Sequence, residues 1–346
     1  MKKKITVFLS ICLSLLLLIG CTNSVDTSQE SDGGDKSDEV IELTYGHIQN
    51  PGHSLYIAAE NFKEMVEERT NGRVKINIYP SNQLGTAREM IEQTAMGTLD
   101  ITFAGTSDWA SGLGIEELGV YDFPFLYEDL DAQHRLVNEI LVDDIASRME
   151  PSPVRLLNVY SNGIRNPLTK TRPITSLDDI KGMKMRTPEN PLFVDTWTHL
   201  GATVVTSPWS EVYTVIQQGV ADACEADAVG MINMNLQEVG EYYSKIGHMG
   251  SVYVVAINEE KWNSIPKDLQ DVIMESAIEN TEEQIKNRKT DDDIAEQQLR
   301  DAGVTITEIE PEERAKMIEA VRPIYDDFAE KYEMGDFIDR ILELSK

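Results

Sequence analysis

Two arginines, a tryptophan and two turn histidines are the residues of this chain whose type and place could do chemistry. In Lys181-Gly182-Met183-Lys184-Met185-Arg186-Thr187-Pro188-Glu189-Asn190, strand alternation puts Met183 and Met185 on one face and Lys184 and Arg186 on the other. Arg186 closes that strand just before a helix start, where free backbone N–H groups also favour anions. A guanidinium there can hold a carboxylate by two parallel hydrogen bonds. Arg165, in Gly163-Ile164-Arg165-Asn166-Pro167, is a second such group. Pro208-Trp209-Ser210-Glu211-Val212-Tyr213 sets Trp209 in the first turn of a further helix, with Tyr213 one turn on. His47 and His53 flank a turn after the first strand, an edge that often lines a cleft. Each has a plainer reading. Most arginines form surface or structural ion pairs, most tryptophans pack in cores, and turn histidines are ordinary loop residues.

Signatures of catalysis are missing from the pattern. The five histidines form no H-E-x-x-H or H-x-H arrangement, so neither a metal nor another cofactor is expected. There is no G-x-S-x-G elbow and no Walker loop, and Gly112-Leu113-Gly114 lacks a third glycine. With 60 Asp+Glu against 31 Lys+Arg, the formal charge is -29, a field that repels nucleic acid and anionic lipid. Screening confines that field to about 8 Å, so a local arginine pair can still dominate inside a cleft. Cys224 lies in an apolar stretch and reads as a buried inert thiol rather than a nucleophile.

The chain begins with Lys2, Lys3 and Lys4, followed by an uncharged apolar run of 15 residues from Ile5 to Ile19. A membrane-spanning helix needs about 20, so this is a signal-peptide core. It ends in Leu18-Ile19-Gly20-Cys21, which resembles a bacterial lipobox. That resemblance implies cleavage before Cys21 and a lipid on its thiol; the alternative is a plain signal peptide with an incidental cysteine. Loss of three lysines takes the charge from -29 to -32. Thr22 to Glu39 is polar and almost without apolar residues, so 21–40 is expected to be a flexible tether. Only Cys224 then remains in the folded part, which excludes an internal disulfide.

The elements that would position these residues alternate. Strands are expected over 41–48, 74–79 and 99–104, with helices over 53–70 and 86–96. A helix over 130–149 follows, then a strand at 154–160 that could cross to a second domain. The second rhythm has strands at 183–186, 203–206, 221–225 and 251–258, with helices at 191–200, 208–218 and 228–239. After Pro266 the chain runs to about residue 300 with neither Pro nor Gly, and this stretch, about 266–300, predicts one long helix. A strand at 304–309 and a last helical region from Pro311, interrupted at Pro323 and Gly335, complete the chain. The reading is α/β: two lobes around a ligand cleft, in the manner of periplasmic binding proteins. Lobe I takes 41–160 and about 250–265, lobe II takes 161–249 and about 301–346, and the helix at about 266–300 spans both.

Several motifs in one order resemble the DctP-type solute-binding proteins of TRAP (tripartite ATP-independent periplasmic) transporters. They are Tyr79-Pro80-Ser81-Asn82-Gln83-Leu84-Gly85, Gly97-Thr98-Leu99-Asp100, Phe123-Pro124-Phe125-Leu126, Lys184 to Pro191, Pro208 to Tyr213, and Gln217-Gln218-Gly219-Val220-Ala221-Asp222. The resemblance covers about residues 41–346. It implies a receptor, not an enzyme, that closes on a small organic anion (sugar acid, hydroxy acid or dicarboxylate) and delivers it to the small and large TRAP membrane subunits. It implies that Arg186 holds the ligand carboxylate, that Arg165 assists and that Trp209 lines the cleft. The family usually has Glu-Asn where this chain has Glu225-Ala226, followed by Asp227. Asp227 is then either a ligand contact or a helix cap. The site expected is Arg186, Arg165, Trp209, Asp227, Tyr213 and His47, in a protein held outside the cytoplasm by lipid on Cys21. Rival readings are a receptor for ABC-type uptake, a sensor-accessory protein, and an exported enzyme acting on a small carboxylate.

Overall fold

The computed structural model describes residues 40–345; the leader, Cys21 and nearly all of the tether lie outside them. β1 (Ile41–Gly46) leads into α1 (Ser54–Arg69), which is started by His53, whose Nδ1 accepts from the Leu55 N–H at 3.1 Å. β2 (Val74–Tyr79) follows. α2 (Ala87–Met96) opens on a capping box of Thr86 and Glu89 and ends at Gly97, whose φ of 77° suits glycine. β3 (Ile101–Gly105) runs directly into α3 (Thr106–Leu113), a short helix with no side-chain cap and no sequence signal. A π turn over Val137–Leu141 divides the expected helix at 130–149 into α4 (Leu130–Leu136) and α5 (Val142–Met149).

β4 (Val154–Thr169) is more than twice as long as its expected seven residues. The second lobe then has β5 (Lys184–Thr187), α6 (Pro191–His199), β6 (Thr203–Thr206), α7 (Val212–Gln217), β7 (Ala223–Ala226), α8 (Ala228–Asn233) and β8 (Tyr242–Lys245). The expected helix at 228–239 stops early because Asn235 adopts φ 54°. β9 (Met249–Asn258), α9 (Glu259–Ser264), α10 (Lys267–Asp301), β10 (Thr305–Glu308), α11 (Pro311–Tyr332) and α12 (Gly335–Leu344) complete the chain. Pro323 does not interrupt α11: Val321 and Tyr325, buried on either side of it, hold the helix through the proline.

The strands run in the order β2-β1-β3-β9-β4-β7-β5-β6, with β8 pairing both β4 and β10. β4 carries the sheet from one lobe to the other. Its residues from Val154 to Arg165 lie antiparallel to β9, and Asn166 to Thr169 turn to β7. The register slips between Ser161 and Ile164, where Gly163 takes φ 75°. Such a bulge bends a strand, and here the bend falls at the crossing.

Both faces of the first-lobe sheet are covered, so every residue of β9 is buried. Its pleat sends Val252, Val254 and Ala256 into a core with Trp109, Tyr121 and Leu141. Tyr253, Val255 and Ile257 face the opposite core of Leu43, Phe62 and Ile273. α12 contributes Ile338 and Ile341 to the first of these cores. The C-terminal segment packs on two cores: Met317 and Val321 of α11 join that of Met185 and Trp197, and α12 joins that of Trp109 and Tyr121. α10, about 52 Å long at 1.5 Å per residue, buries Ile273 and Ala277 in lobe I and Ala295 and Leu299 in lobe II. Its middle is polar. Asn280 accepts from the Tyr160 hydroxyl at 2.8 Å, and Gln284 bonds the N–H and C=O of Ser161 at 2.9 and 2.8 Å.

Candidate functional site

A cavity of about 150 Å³ lies between the lobes, at the bend of β4. Gln49, His53, Ser107 and Asp108 line it from lobe I, Asn162 and Arg165 from the crossing strand, and Arg186, Trp209 and Asp227 from lobe II.

Arg186 is the penultimate residue of β5, beside β6 and in register with Val205, and its side chain is fully buried. Nε donates to Ser207 Oγ at 3.1 Å, and Nη2 donates to the Ser207 carbonyl. The guanidinium lies over the Trp209 ring, 5.7 Å from its centroid. Nη1 has no hydrogen-bond partner. Burial pulls the pKa of Arg186 down to about 10, which leaves it charged at neutral pH. A buried guanidinium held by neutral groups, with one N–H pair unspent on the cavity wall, is a site for an anion.

Arg165 is differently placed. Its Nε and Nη2 grip Glu225 at 2.6 and 2.9 Å, and Nη2 also donates to the Glu225 carbonyl at 2.9 Å. His248 adds a contact from Nε2 to the same carboxylate at 3.1 Å. Burial alone would raise the pKa of Glu225, but Arg165 and His248 hold it at about 2. The charge of Arg165 is therefore already matched inside the protein. Its guanidinium lies 5.2 Å from the Phe193 ring centroid on the cavity wall.

Asp227 is a helix cap and part of an ion pair. Oδ2 accepts from Gly230 N at 3.0 Å at the start of α8, and from Arg288 Nη2 of α10 at 2.7 Å. Burial disfavours its charge, yet Arg288 and His53 keep its carboxyl below the ordinary range. Arg288 also donates from Nη1 to Ser54 Oγ at 3.1 Å and pairs with Asp292. A side chain at Gly163 would strike this guanidinium, at 2.5 Å from Nη2. One buried arginine thus ties together the first turn of α1, the bend of β4 and the cap of α8.

Two expected residues lie elsewhere. Tyr213 is half-buried on α7 and donates to Glu238 at 2.9 Å, away from the cavity. Val212 and Ile216 take the core-facing stripe of that short helix, which turns Tyr213 aside. His47 is fully buried in the lobe I core, stacked on Phe103 with ring centroids 4.9 Å apart. Neither ring nitrogen finds a partner, and burial with nearby His53 pushes its pKa down to about 3. Its successors Ile48 and Gln49 reach the cavity instead.

Among the wall residues that the sequence did not single out are Gln49, Ser107, Asp108, Asp122, Asn162 and Tyr253. One signal was available: Ser161-Asn162-Gly163 interrupts an apolar strand with polar residues and a glycine. Cys224 is buried in the lobe II core, and burial pushes its thiol up to about 12, as an inert cysteine requires. Among the described residues no group of three His, Cys, Asp or Glu could hold a metal ion, and no helix is long and apolar enough to cross a membrane.

Two α/β lobes, a crossing strand, a helix packed on both and an anion-seeking arginine between them define a two-lobed solute receptor. The chain belongs to the DctP family, bacterial extracellular solute-binding proteins of family 7, whose model it matches over residues 45–331. It is 28% identical over 294 residues to the C4-dicarboxylate-binding periplasmic protein DctP of Rhodobacter capsulatus, covering 85% of this chain and 88% of that one. It is 29% identical over 264 residues to the 2,3-diketo-L-gulonate-binding periplasmic protein YiaO of Escherichia coli, covering 76% and 80%. The crystal structure of a TRAP periplasmic solute-binding protein from Haemophilus influenzae with bound L-gulonate matches with a TM-score of 0.83 at 26% identity, over 88% of this chain and all of that one.

Proposed function

We propose that this protein is an extracytoplasmic lipoprotein that captures a small organic-acid anion and hands it to a TRAP permease. The observation that carries this reading is Arg186: a fully buried guanidinium on the cavity wall, bonded to neutral groups, with Nη1 unpartnered. A ligand carboxylate would accept from it and supply the missing counter-charge. Trp209 would cover the bound group and Asp227 would hold the wall in place through its cap. Arg165, already matched by Glu225, would polarise the cavity rather than supply the ligand's counter-charge.

The three relatives compared above are named as solute-binding proteins, which supports a receptor rather than a catalyst. The lipobox at Leu18-Ile19-Gly20-Cys21 and the polar stretch after it support an anchored, tethered receptor. We assign residues 41 to about 160 and 250–265 to lobe I and residues 161–249 to lobe II, with α12 added to lobe I. β4, α10 and α11 would then form the hinge. The test is a thermal-shift screen of organic acids, since a ligand at 100 times Kd adds about 2.7 kcal/mol of stability. Titration calorimetry on each hit, in wild type and Arg186→Ala, then decides. If no organic acid shifts the melt, or if hits bind the folded variant as well as wild type, the reading fails.

A further inference from the structure

Arg186 accounts for one group of the ligand, and the rest of the cavity wall constrains the remainder. The other wall cations are already spent. Arg165 is held by Glu225, and Arg88 lies exposed on α2 beside Glu92 of the same helix. The wall carboxylates are not all spent. Asp227 has Arg288, Glu189 lies on lobe II near enough to Arg186 to favour its charge, and Asp108 and Asp122 are held by neutral donors. Asp108 Oδ1 accepts from Asn190 Nδ2 at 2.8 Å, and Asp122 Oδ2 accepts from Ser107 N and Oγ at 2.9 and 2.7 Å. Both belong to the lobe I segment that follows β3, whereas Arg186 stands on lobe II.

Three further polar atoms on this wall are unpartnered: Gln49 Oε1, Asn162 Oδ1 and Trp209 Nε1. Gln49 and Asn162 are 3% and 2% exposed, so water does not serve them freely. Glu189 apart, the unspent groups are therefore acceptors on lobe I and β4, and donors on lobe II. They come from separate elements, so one compact donor such as an ammonium cannot meet them together. Hydroxyls along a chain can, because each one both donates and accepts.

Resting on the reading that a carboxylate docks on Arg186, we propose that the ligand is a polyhydroxylated monocarboxylate, and that Asp108 is the specificity-determining residue that takes a ligand hydroxyl and repels a second carboxylate. A hydroxyl donates to the Asp108 carboxylate; a carboxylate in its place would set like charges together in a closing cleft, which is strongly unfavourable. The cavity thus discriminates against dicarboxylates by repulsion as well as favouring hydroxyls by attraction.

The test is calorimetric titration of the full mature chain. The probes are a set of six-carbon aldonates (gluconate, galactonate, gulonate, mannonate), the matching aldarates with a second terminal carboxylate (glucarate, galactarate), hexanoate and 6-aminohexanoate. One or more aldonates should bind at least about 100-fold more tightly than every aldarate, hexanoate and 6-aminohexanoate. Asp108→Asn keeps the shape and removes the charge, so it should raise aldarate affinity and narrow the aldonate preference to about tenfold or less. Wild-type binding of an aldarate, hexanoate or 6-aminohexanoate within about threefold of the best aldonate overturns the proposal. So does an unmoved ratio in folded Asp108→Asn. Should an aldarate bind best and Arg186→Ala abolish it, the carboxylate reading survives and this proposal falls. Should no carboxylate bind, or Arg186→Ala make no difference, both fall.

Discussion

Asp227 and Arg288 meet at 2.7 Å through a carboxylate oxygen that also caps α8, with both side chains buried. This pair fixes the lobe II wall of the cavity to the helix that spans the protein. Truncating Arg288 strands a buried carboxylate, a loss of about 3–5 kcal/mol in comparable pairs. Arg288→Ala should therefore lower the urea midpoint sharply. Arg288→Met combined with Asp227→Asn should recover part of it, because neither charge is then left alone. A single variant as stable as wild type would show that the pair does not hold the lobes.

Arg186 should matter to binding far more than to folding. Removing one side of a buried charged contact with a ligand costs roughly 2–5 kcal/mol. Arg186→Ala should nearly abolish binding of whichever acid the screen finds, with an unchanged circular dichroism spectrum. Arg186→Lys should also bind poorly, since an ammonium cannot reproduce the planar fork that bonds Ser207 while leaving Nη1 free. Calorimetry on both variants measures this; binding within about threefold of wild type in either one contradicts it.

His47 makes the fold acid-sensitive. Its pKa is about 3 in the folded protein against an ordinary 6.5 in the unfolded chain. Between those values the unfolded chain binds the extra proton, so the contribution of His47 to stability falls as pH drops from 6.5 toward 3. Glu225, held at about 2 against 4.5, adds an acid loss at lower pH, between 4.5 and 2. Because His47 stacks on Phe103 and neither ring nitrogen has a partner, His47→Phe should reduce the pH dependence of stability above pH 4.5, leaving the part due to His53, which burial holds at about 4. Thermal melts at pH 5 and pH 7.5 test it, and an unchanged difference between the two counts against it.

Trp209 should report the ligand. Trp109, Trp197 and Trp262 are buried in cores, whereas Trp209 is half-buried on the cavity wall beneath Arg186. A ligand should change the intrinsic fluorescence, and Trp209→Phe should remove most of that change. Persistence of the full change in the variant would trace it to one of the core tryptophans.

Cys21 should carry the anchor. Cys21→Ser should release the protein from the membrane fraction, since stable retention takes about two acyl chains and the described residues contain no spanning helix. Retention of the processed variant in membranes would require a different attachment.

Much of this protein is fixed locally, and that part is legible in its sequence. The alternation of β2, the capping box of α2 and the 35 residues of α10 without Pro or Gly follow from neighbours a few positions apart. Arg186 is legible for the same reason: its face of β5 and the helix after it are set within a dozen residues. The DctP motifs, each short and in order, identify the family in the same way. What the sequence could not decide are contacts between residues far apart in the chain. Arg165 and Arg186 look alike as letters, but Glu225, 60 positions from Arg165, neutralises only the first. Asp227 could be read as cap or contact until α10 brought Arg288 to it across 61 positions. His47 sits on the cleft edge by sequence, and only the packing of β1 on β3 turns its ring onto Phe103. The lobe crossing was visible as a strand of about seven residues, yet its sixteen-residue span depends on partners in both sheets and on the bulge at Gly163. Local periodicity sets the elements because it acts within a turn or a pleat; which charges are spent and which are free is settled only when distant elements close around the same cavity.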